Sequence, residues 1–83
     1  MAEPACAIYP NPTSGSTTVS VSGISGKVRI VVVDMNGREV VSETLDCTGD
    51  CAKTMNVENL AQGAYFVRIT GENANMVRKL IVR

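Results

Sequence analysis

The sequence has no histidine and no tryptophan, and its aromatic residues are limited to Tyr9, Tyr65 and Phe66. Histidine is the commonest general base and metal ligand, so its absence disfavours catalysis and metal binding. Surfaces that bind sugars or single-stranded nucleic acid use exposed aromatic platforms, and three rings leave few for that purpose once a core is filled. We therefore expect no enzyme, no cofactor and no metal site.

Charge of one sign and long apolar runs are also missing. Eight basic residues balance eight acidic ones, whereas a nucleic-acid-binding domain normally has a basic surplus. No apolar run approaches the roughly 18 residues that a membrane helix needs. The first residues lack the basic start and apolar stretch of a signal peptide, which predicts either a cytoplasmic protein or a piece of a longer chain. With 83 residues, the chain is long enough for one small domain.

The apolar residues alternate in short, β-branched blocks that glycine, proline and asparagine separate. This pattern predicts an all-β fold, a small antiparallel β-sandwich of about seven strands. The Asn36-Gly37 pair predicts a type I′ hairpin turn. The predicted strands cover residues 7–9, 17–21, 27–34, 39–45, 53–57, 64–70 and 76–83.

The three cysteines are Cys6, Cys47 and Cys51, too few to close a zinc site without histidine. Cys47 and Cys51 flank three residues of a predicted polar loop. They form either a disulfide, which would contribute about 2 kcal/mol, or a pair of reduced thiols. We expect the disulfide, because buried structural cysteines seldom lie in loops. Cys6 then remains in a flexible N-terminal arm, with its partner undetermined.

Four short motifs are spread over most of the chain. They are Tyr9-Pro10-Asn11-Pro12 with Gly15, the hairpin Asn36-Gly37-Arg38, the set Leu60, Gly63 and Tyr65, and the final Lys79-Leu80-Ile81-Val82-Arg83. Together and in this order they resemble the motifs of the C-terminal sorting domain (type A) of the type IX, or Por, secretion system, which implies an Ig-like antiparallel β-sandwich of about seven strands.

This resemblance implies an export address rather than an enzyme. Residues 7–83 would be the sorting domain, and residues 1–6 a linker near a processing site. The domain would direct an N-terminal passenger protein through the outer-membrane type IX translocon, with its shuttle proteins, and a sortase-like cysteine peptidase would then remove it. The implied location is the periplasm in transit, then the outer membrane, the cell surface or the medium.

Within this scheme the first three motifs are expected to be mainly structural, and residues 79–83 to be the recognition segment. Lys79 and Arg83 should lie on one face of the last strand, with Leu80 and Val82 on the other. We expect the end of this strand to fray and to pair with a receptor edge by β-augmentation.

Two other functions remain open: a generic Ig- or fibronectin-like adhesion or spacer module, and a small carbohydrate-binding accessory module. The oligomeric state is open as well. The stiff Pro10-Asn11-Pro12 segment disfavours folding the N-terminal arm straight back, which makes a strand-swapped homodimer an alternative of about equal weight to the monomer. The passenger, the cut position and the surface that the translocon reads are not encoded in any pattern found here.

Overall fold

The computed structural model describes residues 4–72 and 74–83, and all its regular structure is β-strand. The predicted all-β class is therefore confirmed. Within the described residues, no helix capable of crossing a membrane is found. The strands are β1 (Ala5–Tyr9), β2 (Ser16–Val33), β3 (Glu39–Asn56), β4 (Gly63–Thr70) and β5 (Asn75–Val82).

The predicted count of seven strands is wrong, because β2 and β3 each absorb two of the predicted strands. Their ladder runs from Ser16 opposite Asn56 to Val33 opposite Glu39 with only local register shifts. The expected breaks at residues 22–26 and 46–51 are bends within it. Gly26 and Gly49, with φ of +104° and +103°, adopt backbone angles that other residues avoid, so the strands turn there without ending.

β2 is the central strand of one antiparallel sheet. It pairs with β3 along one edge, and along its other edge with β1 in its first half and with β4 in its second half. β5 lies beyond β4. One core takes side chains from both halves of β2, which shows that the bent sheet folds over into two layers. The fully covered members of this core include Val19, Val28, Ile30, Val32, Val57, Val67, Ile69 and Leu80.

The alternation within strands agrees with the sequence pattern. Tyr65, Val67 and Ile69 of β4 are buried in the core. In the second half of β2 the residues on the outer face are buried as well, since Val31 and Val33 are only 4% and 7% exposed. This agrees with a central strand that is apolar on both faces.

The hairpin between β2 and β3 is not a type I′ turn. The Gly37 N–H donates to the Asp34 carbonyl at 3.0 Å, which makes Met35 and Asn36 the central residues. No non-glycine residue among those described has a positive φ, whereas Gly37 has a φ of +84°. The Asp34 carboxylate accepts the N–H groups of Asn36 and Arg38, each at 2.9 Å, and thereby stabilises this turn with its following left-handed glycine.

The expected disulfide between Cys47 and Cys51 is confirmed, with a Cα–Cα distance of 5.4 Å. Its setting differs from the prediction, because it spans the bend of β3 rather than a loop, and Cys47 is buried. Cys6 is a free, half-buried thiol within β1, not part of a flexible arm. Burial raises the pKa of the Cys6 thiol, partly opposed by the charge of Arg78.

The N-terminal arm folds back in its own chain, contrary to the premise of the predicted strand exchange. β1 pairs with β2 of the same chain, from Ala5 opposite Ser22 to Tyr9 opposite Thr18. β1 therefore begins within the segment expected to be a linker. The first residues of that segment, 1–3, lie outside the described residues.

Candidate functional site around the last strand

The last strand, β5, presents two chemically different faces. Leu80 and Val82 are 0% and 4% exposed and belong to the core, whereas Lys79 and Arg83 are exposed. One edge of the strand pairs with β4, where Leu80 lies opposite Tyr65 and Val82 opposite Gly63. The terminal strand is therefore an integral part of the sheet, with its cations directed away from the core.

The other edge of β5 is covered by Asn11 and Thr13, which we call the clasp. The Asn11 side-chain amide donates to the Lys79 carbonyl at 2.8 Å, and its oxygen accepts the Ile81 N–H at 3.0 Å. Thr13 continues the pattern through its backbone, donating to the Ile81 carbonyl at 2.9 Å and accepting the Arg83 N–H at 2.8 Å. Asn11 thus imitates one peptide unit of a neighbouring strand.

Short-range hydrogen bonds position the clasp. Thr13 is 3% exposed, and its hydroxyl donates to the Ser16 carbonyl at 2.6 Å. The Thr17 hydroxyl donates to the Pro10 carbonyl at 3.0 Å. The Gly15 carbonyl accepts the Val57 N–H at 2.8 Å, which ties the turn to the end of β3. These contacts give buried threonine hydroxyls partners within the fold, as burial requires.

The motif containing Leu60, Gly63 and Tyr65 supports β5 from the β4 side. Tyr65 is 7% exposed, and its hydroxyl donates to the Ala61 carbonyl at 2.6 Å. Leu60 packs against the core. Gly63 has a φ of +152°, a conformation that side chains rarely adopt, at the point where the turn enters β4. These positions fit a structural role.

Three of the four motifs therefore meet at one place. The clasp lies on one edge of β5, the Gly63-to-Tyr65 segment lies on the other, and the terminal motif lies between them. The hairpin motif around Gly37 makes no hydrogen bond to β5 among the described residues. Spacing along the chain does not reveal this convergence, since Asn11 and Ile81 are 70 positions apart.

Two expectations about the last strand are wrong in this arrangement. Its end does not lack ladder bonds, because Ile81 and Arg83 bond to the clasp and Val82 pairs with Gly63. Nor is its edge open for β-augmentation at residues 79–83, since Asn11 and Thr13 occupy those donors and acceptors. An incoming receptor strand would first have to displace the clasp.

A family profile described as a secretion system C-terminal sorting domain matches residues 7–83, nearly the whole chain. The chain belongs to this family. No curated protein matches it at significant similarity. It is thus a C-terminal sorting domain of type IX secretion, a family of signals rather than catalysts, and its destination lies at or beyond the outer membrane.

Sequence reasoning did not single out the threonines of this sorting domain. Thr13 and Thr17 are its buried polar residues among those described, and their hydroxyls tie the clasp segment to β2, Thr13 by donating to the Ser16 carbonyl and Thr17 by donating to the Pro10 carbonyl. The pattern that could have identified Thr17 is its position on the same side of an alternating strand as the apolar Val19. No cluster of metal-ligating side chains occurs in residues 4–72 and 74–83.

Proposed function

We propose that this sorting domain is read at the outer membrane through the side chains of its last strand. The observation that supports this role is the clasp, which holds residues 79–83 in one fixed conformation from both edges. In that conformation Leu80 and Val82 anchor the strand, and the exposed Lys79 and Arg83 remain available to a receptor. The domain performs no catalysis and is itself the ligand of the translocon and its shuttle proteins.

The family's C-terminal position suits export after synthesis, because a sorting domain at the C-terminal end of an exported protein is complete only when translation has ended. In this scheme the passenger precedes β1, and a sortase-like cysteine peptidase cuts between the two, so the processing site belongs to the segment ahead of Ala5. The domain then reaches the periplasm first and separates from its passenger at the outer membrane.

The test of the recognition segment uses the domain fused to the C-terminus of a passenger in cells with the type IX machinery. Lys79→Glu combined with Arg83→Glu should retain the passenger in the periplasm while the circular dichroism of the domain stays unchanged. Lys27→Glu is a control, because Lys27 is also highly exposed and lies near the bend of β2 rather than on β5. Normal surface delivery of the Lys79/Arg83 variant would show that the address lies elsewhere.

Truncation is a weaker test than charge reversal. Deleting residues 80–83 should also stop export, but Leu80 and Val82 belong to the core, so this deletion also unfolds the domain. Only the charge variant separates recognition from folding.

Processing has a separate test. Mass spectrometry of the domain released from an exported passenger should give an N-terminus at or before Ala5. A cut inside β1 or later would contradict the proposed site, because the peptidase would have to break the pairing between β1 and β2.

A strand-swapped homodimer remains an alternative to the monomer. Two copies that exchange β1 would preserve the pairing of Cys6 with Val21 and of Ile8 with Val19. Light scattering over a concentration series would distinguish the two states, and a monomeric mass throughout would exclude the exchange.

A further inference from the structure

The outer face of the layer formed by the second half of β2, β4 and β5 combines cations with apolar groups. Arg68 lies between Val31 and Val77, and Phe66 lies between Val33 and Lys79, each pair directly opposed across neighbouring strands. Directly opposed residues project on the same side of a sheet. We call these six residues the basic face: Val31, Val33, Phe66, Arg68, Val77 and Lys79.

The two cations of the basic face have no anionic partner among the described residues. The ion pairs of residues 4–72 and 74–83 involve the cations Lys27, Arg29, Arg38 and Lys53. Neither Arg68 nor Lys79 takes part in one. Both of these side chains are exposed. Val77, opposite Arg68, is a large apolar side chain that is 50% exposed. Val31 and Val33 are themselves only 4% and 7% exposed, so the accessible apolar surface of the face comes from Val77 and the half-buried Phe66, beside the unpaired charges.

The opposite outer face of the molecule is different. There the first half of β2 and its neighbours present Thr18, Ser20 and Thr54, and the hydroxyls of Thr18 and Thr54 are 3.0 Å apart and hydrogen-bonded. No lysine or arginine occupies the outward positions of these strands. Although the formal net charge of the chain is zero, Arg68 and Lys79 thus share one outer face, whereas Arg78, which also makes no ion pair among the described residues, lies opposite Val67 on the other side of β5.

The edges of the sheet are poor alternatives for recognition. The clasp covers β5 at residues 79–83. On β3, Glu43 and Lys53 lie opposite the core residues Ile30 and Val19, and their charged groups are 3.9 Å apart. Inward-pointing charges on an edge strand hinder the approach of another strand. A receptor can therefore reach the side chains on an outer face of the sheet more easily than the edges of β3 and β5.

We propose that the basic face docks onto an acidic protein surface of the export machinery, whose carboxylates meet Arg68 and Lys79 beside an apolar contact to Val77. This inference rests on the proposed sorting function and extends the recognition surface beyond the last strand, to residues of β2 and β4. A protein fits better than an anionic membrane, because lipid-binding clusters use about four to eight cations.

The test places a glutamate on either outer face of the domain in the same passenger fusion. Val77→Glu puts a carboxylate opposite Arg68, where it can pair across the strands without disturbing the core. Ala52→Glu is the matched control, since Ala52 is exposed on β3 opposite Ser20. Arg68→Glu and Arg68→Lys complete the set. Surface delivery is measured by protease accessibility of the passenger, and folding by thermal melting of each purified domain.

We expect Val77→Glu and Arg68→Glu to reduce surface delivery by about tenfold or more, since like charges across an interface are strongly unfavourable. Arg68→Lys and Ala52→Glu should be delivered like the wild type, with similar melting temperatures throughout. Normal delivery of both Val77→Glu and Arg68→Glu would overturn the inference while leaving the sorting function intact. A wild-type fusion that is not exported would contradict the sorting function itself, and this inference with it.

A sedimentation assay distinguishes a protein partner from a membrane. The purified domain is mixed with vesicles of phosphatidylglycerol and phosphatidylcholine. We expect no binding that depends on Arg68. Binding that Arg68→Glu abolishes would overturn the choice of a protein partner and assign the face to anionic lipid.

Discussion

Replacing Asn11 by alanine tests whether the clasp holds the last strand. The Asn11 side chain makes two hydrogen bonds to β5, donating to the Lys79 carbonyl and accepting from the Ile81 N–H. Alanine removes both and leaves the Thr13 backbone bonds in place. A hydrogen bond contributes roughly 0.5–1.5 kcal/mol net, and these two are exposed, so we expect a loss of about 1–2 kcal/mol.

A loss of this size is measurable in a small domain. For a domain of about 60–100 residues, 1 kcal/mol lowers the melting temperature by roughly 4–8 °C. Amide hydrogen exchange adds residue-level evidence. The Ile81 amide should exchange faster in Asn11→Ala, whereas the Val57 amide, which donates to Gly15, should change much less.

The matched control is Asn59→Ala. Asn59 is an exposed asparagine in the turn before β4, and its side chain makes no hydrogen bond within the described residues. Its replacement should leave both measurements unchanged. If Asn11→Ala melts like the wild type and protects the Ile81 amide equally well, the clasp does not hold β5 and the account of a fixed terminal strand is refuted.

Two further predictions concern the core and the hairpin. Tyr65→Phe should lose about 1 kcal/mol with the bond to Ala61, and Tyr65→Ala about 3 kcal/mol or more through a core cavity; urea unfolding measures both, and unchanged stability would favour a recognition role for Tyr65. The backbone N–H of Arg38, followed by that of Asn36, holds the pKa of Asp34 below its usual range. The stabilisation from Asp34 is therefore complete above the pKa of the unfolded carboxyl and is lost as the pH falls through the lower folded pKa. Asp34→Asn should flatten the acid side of a plot of urea midpoint against pH, and an unchanged slope would count against this linkage.

The local pattern of the chain was predictable because it depends on near neighbours. Alternation assigned the inward faces of Val67 and Leu80 correctly, since successive side chains of a strand project to opposite sides. The Cys47–Cys51 disulfide was also predictable, because the three residues between the cysteines can fold back, and here they bring the two Cα atoms to 5.4 Å.

The prediction that strands end near Gly26 and Gly49 is wrong for a physical reason. In the sequence, Gly26 and Gly49 look like turn residues that end strands. Whether a left-handed glycine ends a strand or bends it depends on whether the neighbouring chain bends at the same level. Here Gly49 lies opposite Ile24, and Gly26 opposite Cys47, so both strands turn together and the ladder continues. No local sequence pattern shows that two strands far apart along the chain bend at the same level.

The sequence by itself determined the all-β class, the inward faces of the strands and the family, because these depend on composition, periodicity and short motifs. The tertiary structure alone decided how those segments meet. Asn11 reaches Ile81 only because the sheet folds over and brings the start of the chain beside its end. The basic face arises in the same way, since Val31, Arg68 and Val77 become neighbours only through the register of three strands. Pairing across long separations is set by the packing of the whole core, which no local segment encodes.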